Sequence, residues 1–264
     1  MIEICVLASG SKANSIYIHD GETGILIDAG LSRKETLRRL EEKGLGGKPI
    51  DAILITHEHS DHIRGLNPVA THFNCPVFAN RATGDLILKL LRNKNMFFPF
   101  ENGVEFELKK FRINSFSIAH DGIDPVGFEL MHSGGKICVA TDIGFPTSLV
   151  KERIKQSNVL ILEANHEEEM VFNGNRPWEV KQRIVGRKGH LSNKDLGHLV
   201  EEVAGPELNM IFLAHMSQDH NEPVRAADVV SNALRKRNLS DVEIKFTWQD
   251  RPTDVCRLPL TVSG

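Results

Sequence analysis

Residues 57–62 read His57-Glu58-His59-Ser60-Asp61-His62 and follow directly on Ala52–Thr56, a short run that reads as a buried strand. Three histidines and one aspartate gathered at one strand end call for a rigid scaffold that presents them on a loop. In an extended segment residues i and i+2 point the same way, so His57 and His59 can hold one metal together. Asp61 and His62 follow as the chain turns and can face a second metal beside the first. Imidazole and carboxylate suit Zn, Mn or Fe, and no thiolate stands in the segment to demand zinc.

Four ligands do not complete two sites, and the chain supplies more downstream. His120 follows the alternating stretch Phe111–Ala119, Asp142 follows Lys136–Ala140, and His215 follows Met210–Ala214. Strand ends are where sites assemble in α/β sheets. His57, His59, His62, His120 and His215, with Asp61 and Asp142, are enough for two divalent ions, Asp142 serving as the bridge.

The remaining pattern is a mixture of short strands and helices. Ile2–Ala8, Pro76–Ala79 and Val159–Leu162 read as strands, and Ser15–His19 with Gly24–Asp28 as a hairpin. Val126–Met131 and Lys136–Ala140 form a second hairpin around Ser133-Gly134-Gly135. Ser32 and Glu35 have the spacing of a capping box, opening a helix that stops near Gly44. Thr83–Leu91, Ser192–Val203 and Pro223–Arg237 read as further helices. No repeat or linker divides the chain. The expected architecture is α/β, one domain over residues 1–264, with sheets covered by helices.

The chain has 264 residues, 41% hydrophobic and 25% charged, enough to bury a sizeable core. A net charge of −3 carries no strongly basic nucleic-acid footprint, although bound dications or a local basic patch would outweigh it. Cys5, Cys75, Cys138 and Cys256 are dispersed without a Cys-x-x-Cys pair, and read as packed, reduced thiols. No window approaches the roughly 18 apolar residues of a membrane span. The expectation is a cytoplasmic protein without a membrane partner; no obligate protein partner can be inferred.

His57-x-His59-x-Asp61-His62, then His120, Asp142 and His215 in that order, resembles the metallo-β-lactamase fold superfamily over essentially the whole chain. The resemblance implies an αββα sandwich. Asp28, in Leu26-Ile27-Asp28-Ala29-Gly30, is similar to the superfamily's early Asp-x-Gly strand end, which implies a supporting role. Asp at 61, and histidine rather than cysteine among the later ligands, resembles the phosphodiesterase and glyoxalase-like branches. The segments Ala8–Ser15, Glu163–His166, Gly189–Asn193 and Ala214–Ser217 resemble the YycJ/WalJ family of bacterial hydrolases, described as 5′-to-3′ exonucleases acting on DNA. That family's early loop usually reads Ser-Gly-Ser-x-Gly-Asn-Ser, and here Ala13 replaces the glycine. The resemblance implies substrate contacts from Ser9, Ser11 and Asn14, and from Ser192 and Asn193.

Ser192 and Asp195 form a second capping box, so His190 lies just before a helix N-terminus. Backbone donors and the positive helix end favour a phosphate there. A histidine so placed can protonate a departing alkoxide, and Glu163 can orient it. His166 is ambiguous, and His19, His72, His132, His198 and His220 read as surface or structural. Arg176, Lys181, Arg183, Arg187 and Lys188 form a basic run. Such a run is usually a solvated face, but beside a phosphate-handling site Arg183 and Arg187 can track a nucleic-acid backbone. Trp178 can stack on a base or serve the core. The expected reaction is metal-assisted phosphodiester hydrolysis of DNA, with Asp61 holding or deprotonating the attacking water and His190 giving a proton to the leaving oxygen. The alternatives are a small-substrate hydrolase of the same fold (cyclic-nucleotide phosphodiesterase, thioesterase or lactonase) and a non-hydrolytic metal-binding protein.

Overall fold

The computed structural model describes residues 1–258, and their strands fall into two sheets of seven. The first sheet holds β1 (Ile2–Ala8), β2 (Ser15–His19), β3 (Gly24–Ile27), β4 (Ala52–Leu54), β5 (Val77–Asn80) and β6 (Phe97–Phe100), side by side in chain order. The second holds β7 (Phe106–Leu108), β8 (Phe111–Ser117), β9 (Val126–His132), β10 (Gly135–Ala140), β11 (Val159–Glu163), β12 (Met210–Ala214) and β13 (Glu243–Phe246), also in order. The chain then returns to the first sheet, where β14 (Cys256–Leu258) pairs with β1. Strands β3 to β6 run parallel, as do β10 to β13.

Both faces of each sheet are covered, so the strands read as continuous apolar runs. Their period of two divides each run between two cores. Ile2, Ile4 and Val6 face Phe128, Ile137, Val139 and Phe212 in the core between the sheets. Cys5 and Leu7 turn the other way, with Ile53 and Ile55, and pack under the first sheet's outer helices. These are α1 (Arg33–Glu42), α3 (Leu66–Phe73) and α4 (Arg81–Ile87). Leu160, Leu162, Ile211 and Leu213 face outward from the second sheet. They meet α5 (Ser148–Ile154), α8 (Asn193–Val203) and α9 (Pro223–Lys236). The layers are therefore helix, sheet, sheet, helix, the expected αββα sandwich. The four cysteines are unpaired and buried. No helix among the described residues is long and apolar enough to cross a membrane.

Several boundaries differ from the sequence reading. α4 covers Arg81–Ile87 rather than 83–91, because Asn80 caps it: its side chain accepts from Thr83 N at 2.9 Å. β4 stops at Leu54 and β8 at Ser117, each a few residues early, leaving extended segments to carry the histidines. Ser32 accepts from Glu35 N at 3.3 Å, but the Glu35 carboxylate pairs with Arg38 and Arg39, so half of that capping box is present. Two residues of the basic run, Lys181 and Arg183, lie in a helix, α7 (Trp178–Val185), which α6 (Glu168–Asn173) precedes; Arg176, Arg187 and Lys188 flank it. α7 buries none of its residues fully; of its apolar side chains Trp178 and Val180 are exposed and Ile184 and Val185 half-buried.

Candidate metal centre and active site

The strand ends of both sheets open on one edge of the sandwich, and the ligand-type residues meet there. Three of them, Asp28, Asp142 and His215, adopt left-handed backbone with φ of 60°, 58° and 51°. That region is sparsely used outside glycine, and Asp, Asn and His tolerate it best. Its clustering at one place marks a constrained functional edge. The His-rich loop turns through α2 (Ser60–Ile63) and is pinned from below by backbone. Asn14 N donates to Asp61 O at 2.8 Å, and Ala29 N to His62 O at 2.7 Å. Gly30 is needed at this crossing, since a Cβ there would lie 1.7 Å from Asp61 O.

The imidazoles are oriented in a common manner. His62 Nδ1 lies 2.7 Å from Asp28 Oδ2, His57 Nδ1 2.9 Å from Thr56 Oγ1, His120 Nδ1 3.1 Å from Gly189 O, and His215 Nδ1 2.9 Å from Glu163 Oε1. Each ring gives Nδ1 to a protein oxygen, which leaves Nε2 as the free lone pair, the arrangement that prepares histidines for metals. His59 is reversed: its Nδ1 faces inward, 3.1 Å from His57 Nε2 and 3.3 Å from His120 Nε2. Thr56 joins two of these supports, because its hydroxyl also touches Asp28.

Three triads of donor atoms lie close enough to share an ion, His57, His59 and His120; Asp61, His62 and His215; and His57, His62 and Asp142; so does a group of four, Asp142, Glu163, His190 and His215. Asp142 Oδ2 and His215 Nε2 are buried and have no hydrogen-bond partner. Buried polar atoms are normally satisfied, so these two mark positions suited to a cation. The charge balance agrees. Burial opposes protonation of His62, but Asp28 and Asp142 push its pKa up to about 10. His215 is likewise raised against burial, by Asp142, Asp61 and Glu163. Burial works against the charge on Asp61 too, and the His215 and His62 imidazoles, 3.9 Å and 3.4 Å away, hold its carboxyl far below the usual range. A field that draws protons onto two imidazoles is one that divalent ions neutralise. The donor set fits divalent metals.

Beside this cluster, Glu163 Oε1 meets His190 Nδ1 at 2.7 Å as well as His215. Its other oxygen accepts from Ile143 N at 2.6 Å and Leu191 N at 3.2 Å. Glu163 is fully buried. Ser192 caps α8, its hydroxyl accepting from Asp195 N at 3.1 Å.

The other residues singled out in the sequence lie as follows. Ser9 Oγ accepts from His215 N at 2.7 Å, and Asn14 Nδ2 donates to Asp61 Oδ2 at 3.0 Å while lying 2.9 Å from His62 Nε2. Both are buried against the cluster. Ser11 is exposed in the adjoining turn. Asn193 is buried, its amide held by Glu167 and Asn221. Arg183 pairs with Asp121, Nε to Oδ2 at 2.7 Å. Arg187 stacks on Phe145, 4.2 Å from the ring centre. Trp178 is 57% exposed, so it is not a core residue. Asp121 was not singled out, yet its Oδ1 lies 3.3 Å from His120 Nε2 and 3.5 Å from His59 Nε2. Its only sequence signal is adjacency to His120. Asn165 supports the same edge, its amide donating to His215 O at 2.8 Å.

This fold and centre define a metal-dependent hydrolase of the metallo-β-lactamase type. The family model for the β-lactamase superfamily domain matches residues 23–222, and the chain belongs to that superfamily, close to YycJ and WalJ. It is 34% identical to Exodeoxyribonuclease YycJ of Bacillus anthracis over 259 residues, covering 96% of this chain and 98% of that protein. It is 32% identical to Exodeoxyribonuclease WalJ of Streptococcus pneumoniae serotype 2, covering 97% and 96%. Among solved structures, the metallo-β-lactamase fold protein YhfI from Bacillus subtilis superimposes with a TM-score of 0.71 at 13% identity, covering 95% of this chain and 98% of that one.

Proposed function

We propose that the protein is a dinuclear metal-dependent phosphodiesterase that degrades DNA from the 5′ end. The observation that carries this reading is the Glu163 carboxylate, shared at 2.7 Å and 2.9 Å by His190 and His215. It joins a proton-donating imidazole to the ligand cluster through one atom. His57, His59 and His120 would hold one ion, Asp61, His62 and His215 the other, with Asp142 between them. Ions held there would act as Lewis acids and acidify the attacking water.

The chain's own groups supply the rest. Asp61, fixed by the Asn14 amide and kept ionised, holds and orients the attacking water. His190 gives Nδ1 to Glu163, which leaves Nε2 to protonate the leaving oxygen. Burial opposes a charged His190, but the Glu163 carboxylate outweighs it and raises the pKa, so the proton is present when needed. The full-length similarity to two proteins named exodeoxyribonucleases supports DNA as the substrate. The unpaired, buried cysteines support a reducing, cytoplasmic setting.

The test is metal-loaded protein incubated with 5′-labelled and 3′-labelled DNA and RNA, and separately with cyclic nucleotides. Early release of labelled mononucleotide from the 5′ end of DNA is expected. Turnover of cyclic nucleotide with none of DNA would overturn the reading, and early release from the 3′ end would overturn its polarity.

A further inference from the structure

We propose that Phe145 and Arg187, already stacked on each other, form a base-stacking clamp at the mouth of the metal centre, in which a nucleobase next to the phosphodiester being cut stacks on the ring's open face and the guanidinium takes the adjacent phosphate. The proposal rests on the reading that the substrate is a polynucleotide. Phe145 is 40% exposed. A single exposed phenylalanine is ordinary on a protein surface, so its placement has to make the case. It lies three residues after Asp142. Its backbone pairs in a β-bridge with Ala119, next to His120, and Gly144 N donates to Ala119 O at 2.7 Å. Arg187, whose guanidinium carbon lies 4.2 Å from the ring centre, comes three residues before His190. The two loops touch through backbone: a Cβ on Gly144 would lie 2.5 Å from Arg187 O. The ring is thus tied to the loops of Asp142, His120 and His190 at once.

The chemistry of the pair selects its occupant. Arg176 and Arg183 are neutralised by Asp219 and Asp121, whereas Arg187 meets no carboxylate among the described residues. Its charge remains available. A free phosphate would use the guanidinium and not the ring, and a small apolar ligand the reverse. A nucleotide offers a flat π face and an adjacent phosphate, and uses both. Stacking tolerates every base, which suits an enzyme that must pass along any sequence.

The test is fluorescence-anisotropy titration of metal-loaded protein with a labelled single-stranded phosphorothioate oligonucleotide, which resists cleavage. A second series of probes carries one abasic residue stepped inward from the 5′ end. Phe145→Ala is expected to weaken binding roughly 5- to 150-fold, the range found when one base–aromatic stack is removed. Phe145→Trp should restore it. One abasic position should weaken wild-type binding by the same factor, and on that probe Phe145→Ala should cost nothing further. Wild-type affinity in Phe145→Ala overturns the clamp. So does an equal loss on intact and abasic probes, which would mark a structural role. If wild-type protein hydrolyses bis-nitrophenyl phosphate but binds no oligonucleotide, the polynucleotide reading itself fails, and the clamp with it.

Discussion

His190 Nδ1 lies 2.7 Å from Glu163 Oε1, and the buried carboxylate is held in turn by two backbone N–H groups, from Ile143 and Leu191. Four protein groups, counting His215, thus converge on one side chain. The carboxylate has no freedom to turn away, and the imidazole it holds keeps one orientation and one tautomer. A proton donor fixed in this way pre-exists the substrate, which is where general acid catalysis gains its rate.

Replacing His190 by Ala should therefore lower turnover of DNA by about 10²–10⁴-fold, the usual worth of general acid catalysis. Metal content, measured by plasma mass spectrometry, should stay unchanged. With a nitrophenolate leaving group the loss should be smaller, since that oxygen needs less protonation. Equal losses on both substrates would count against the role.

Asp142 belongs to the triad that joins the two halves of the cluster, and its Oδ2 is buried without a partner. Asp142→Asn keeps the volume and tolerates the φ of 58°, while removing the charge. The purified variant should carry fewer than the approximately two ions expected per wild-type chain from the two-metal template. Asp142→Ala should show the same metal loss with added instability, because alanine avoids positive φ. Full occupancy and activity in Asp142→Asn would remove the bridging assignment.

What the sequence made legible follows from these particulars. The ligand-type residues could be read because they cluster at the ends of apolar runs, and the two-sheet core because the inner strands are buried on both faces. Asp121 was invisible because its partner Arg183 is 62 residues away. α7 is short, and its few apolar residues are interleaved with Glu179, Lys181 and Arg183, so the segment reads as a charged face before it reads as a helix. The burial of Asn193 depends on Asn221 and Glu167, brought together only by the fold.

Asp28 accepts from Thr56 N at 2.9 Å and lies 2.7 Å from His62 Nδ1. It aligns His62 without joining any of the three triads. Asp28→Asn should weaken metal affinity about 10- to 100-fold, the usual effect of losing a ligand's hydrogen-bond support. Chelator competition would measure it, and melting of the metal-free protein would separate any loss of stability. Unchanged affinity would mean that the Thr56 contacts alone orient the ring.

The backbone and the bases of DNA should be separable in the salt dependence of binding. Each phosphate contact from a cation contributes about 0.9 to the log–log slope for duplex DNA. Lys188 is exposed, whereas Arg183 is already paired with Asp121. A phosphate must displace that carboxylate before it gains the guanidinium, so the net release of counterions there is smaller. Lys188→Ala should flatten the slope by close to 0.9 if the lysine reaches the backbone, and Arg183→Ala by less. Phe145→Ala should lower affinity at every salt concentration and leave the slope unchanged, because stacking releases no counterions. Hydrolysis of bis-nitrophenyl phosphate, which does not extend past the metals, should survive the two basic substitutions. If the double variant Arg183→Ala, Lys188→Ala keeps the wild-type slope, the basic run is a solvated face, and the polymer is held by the metals and the stacked base alone.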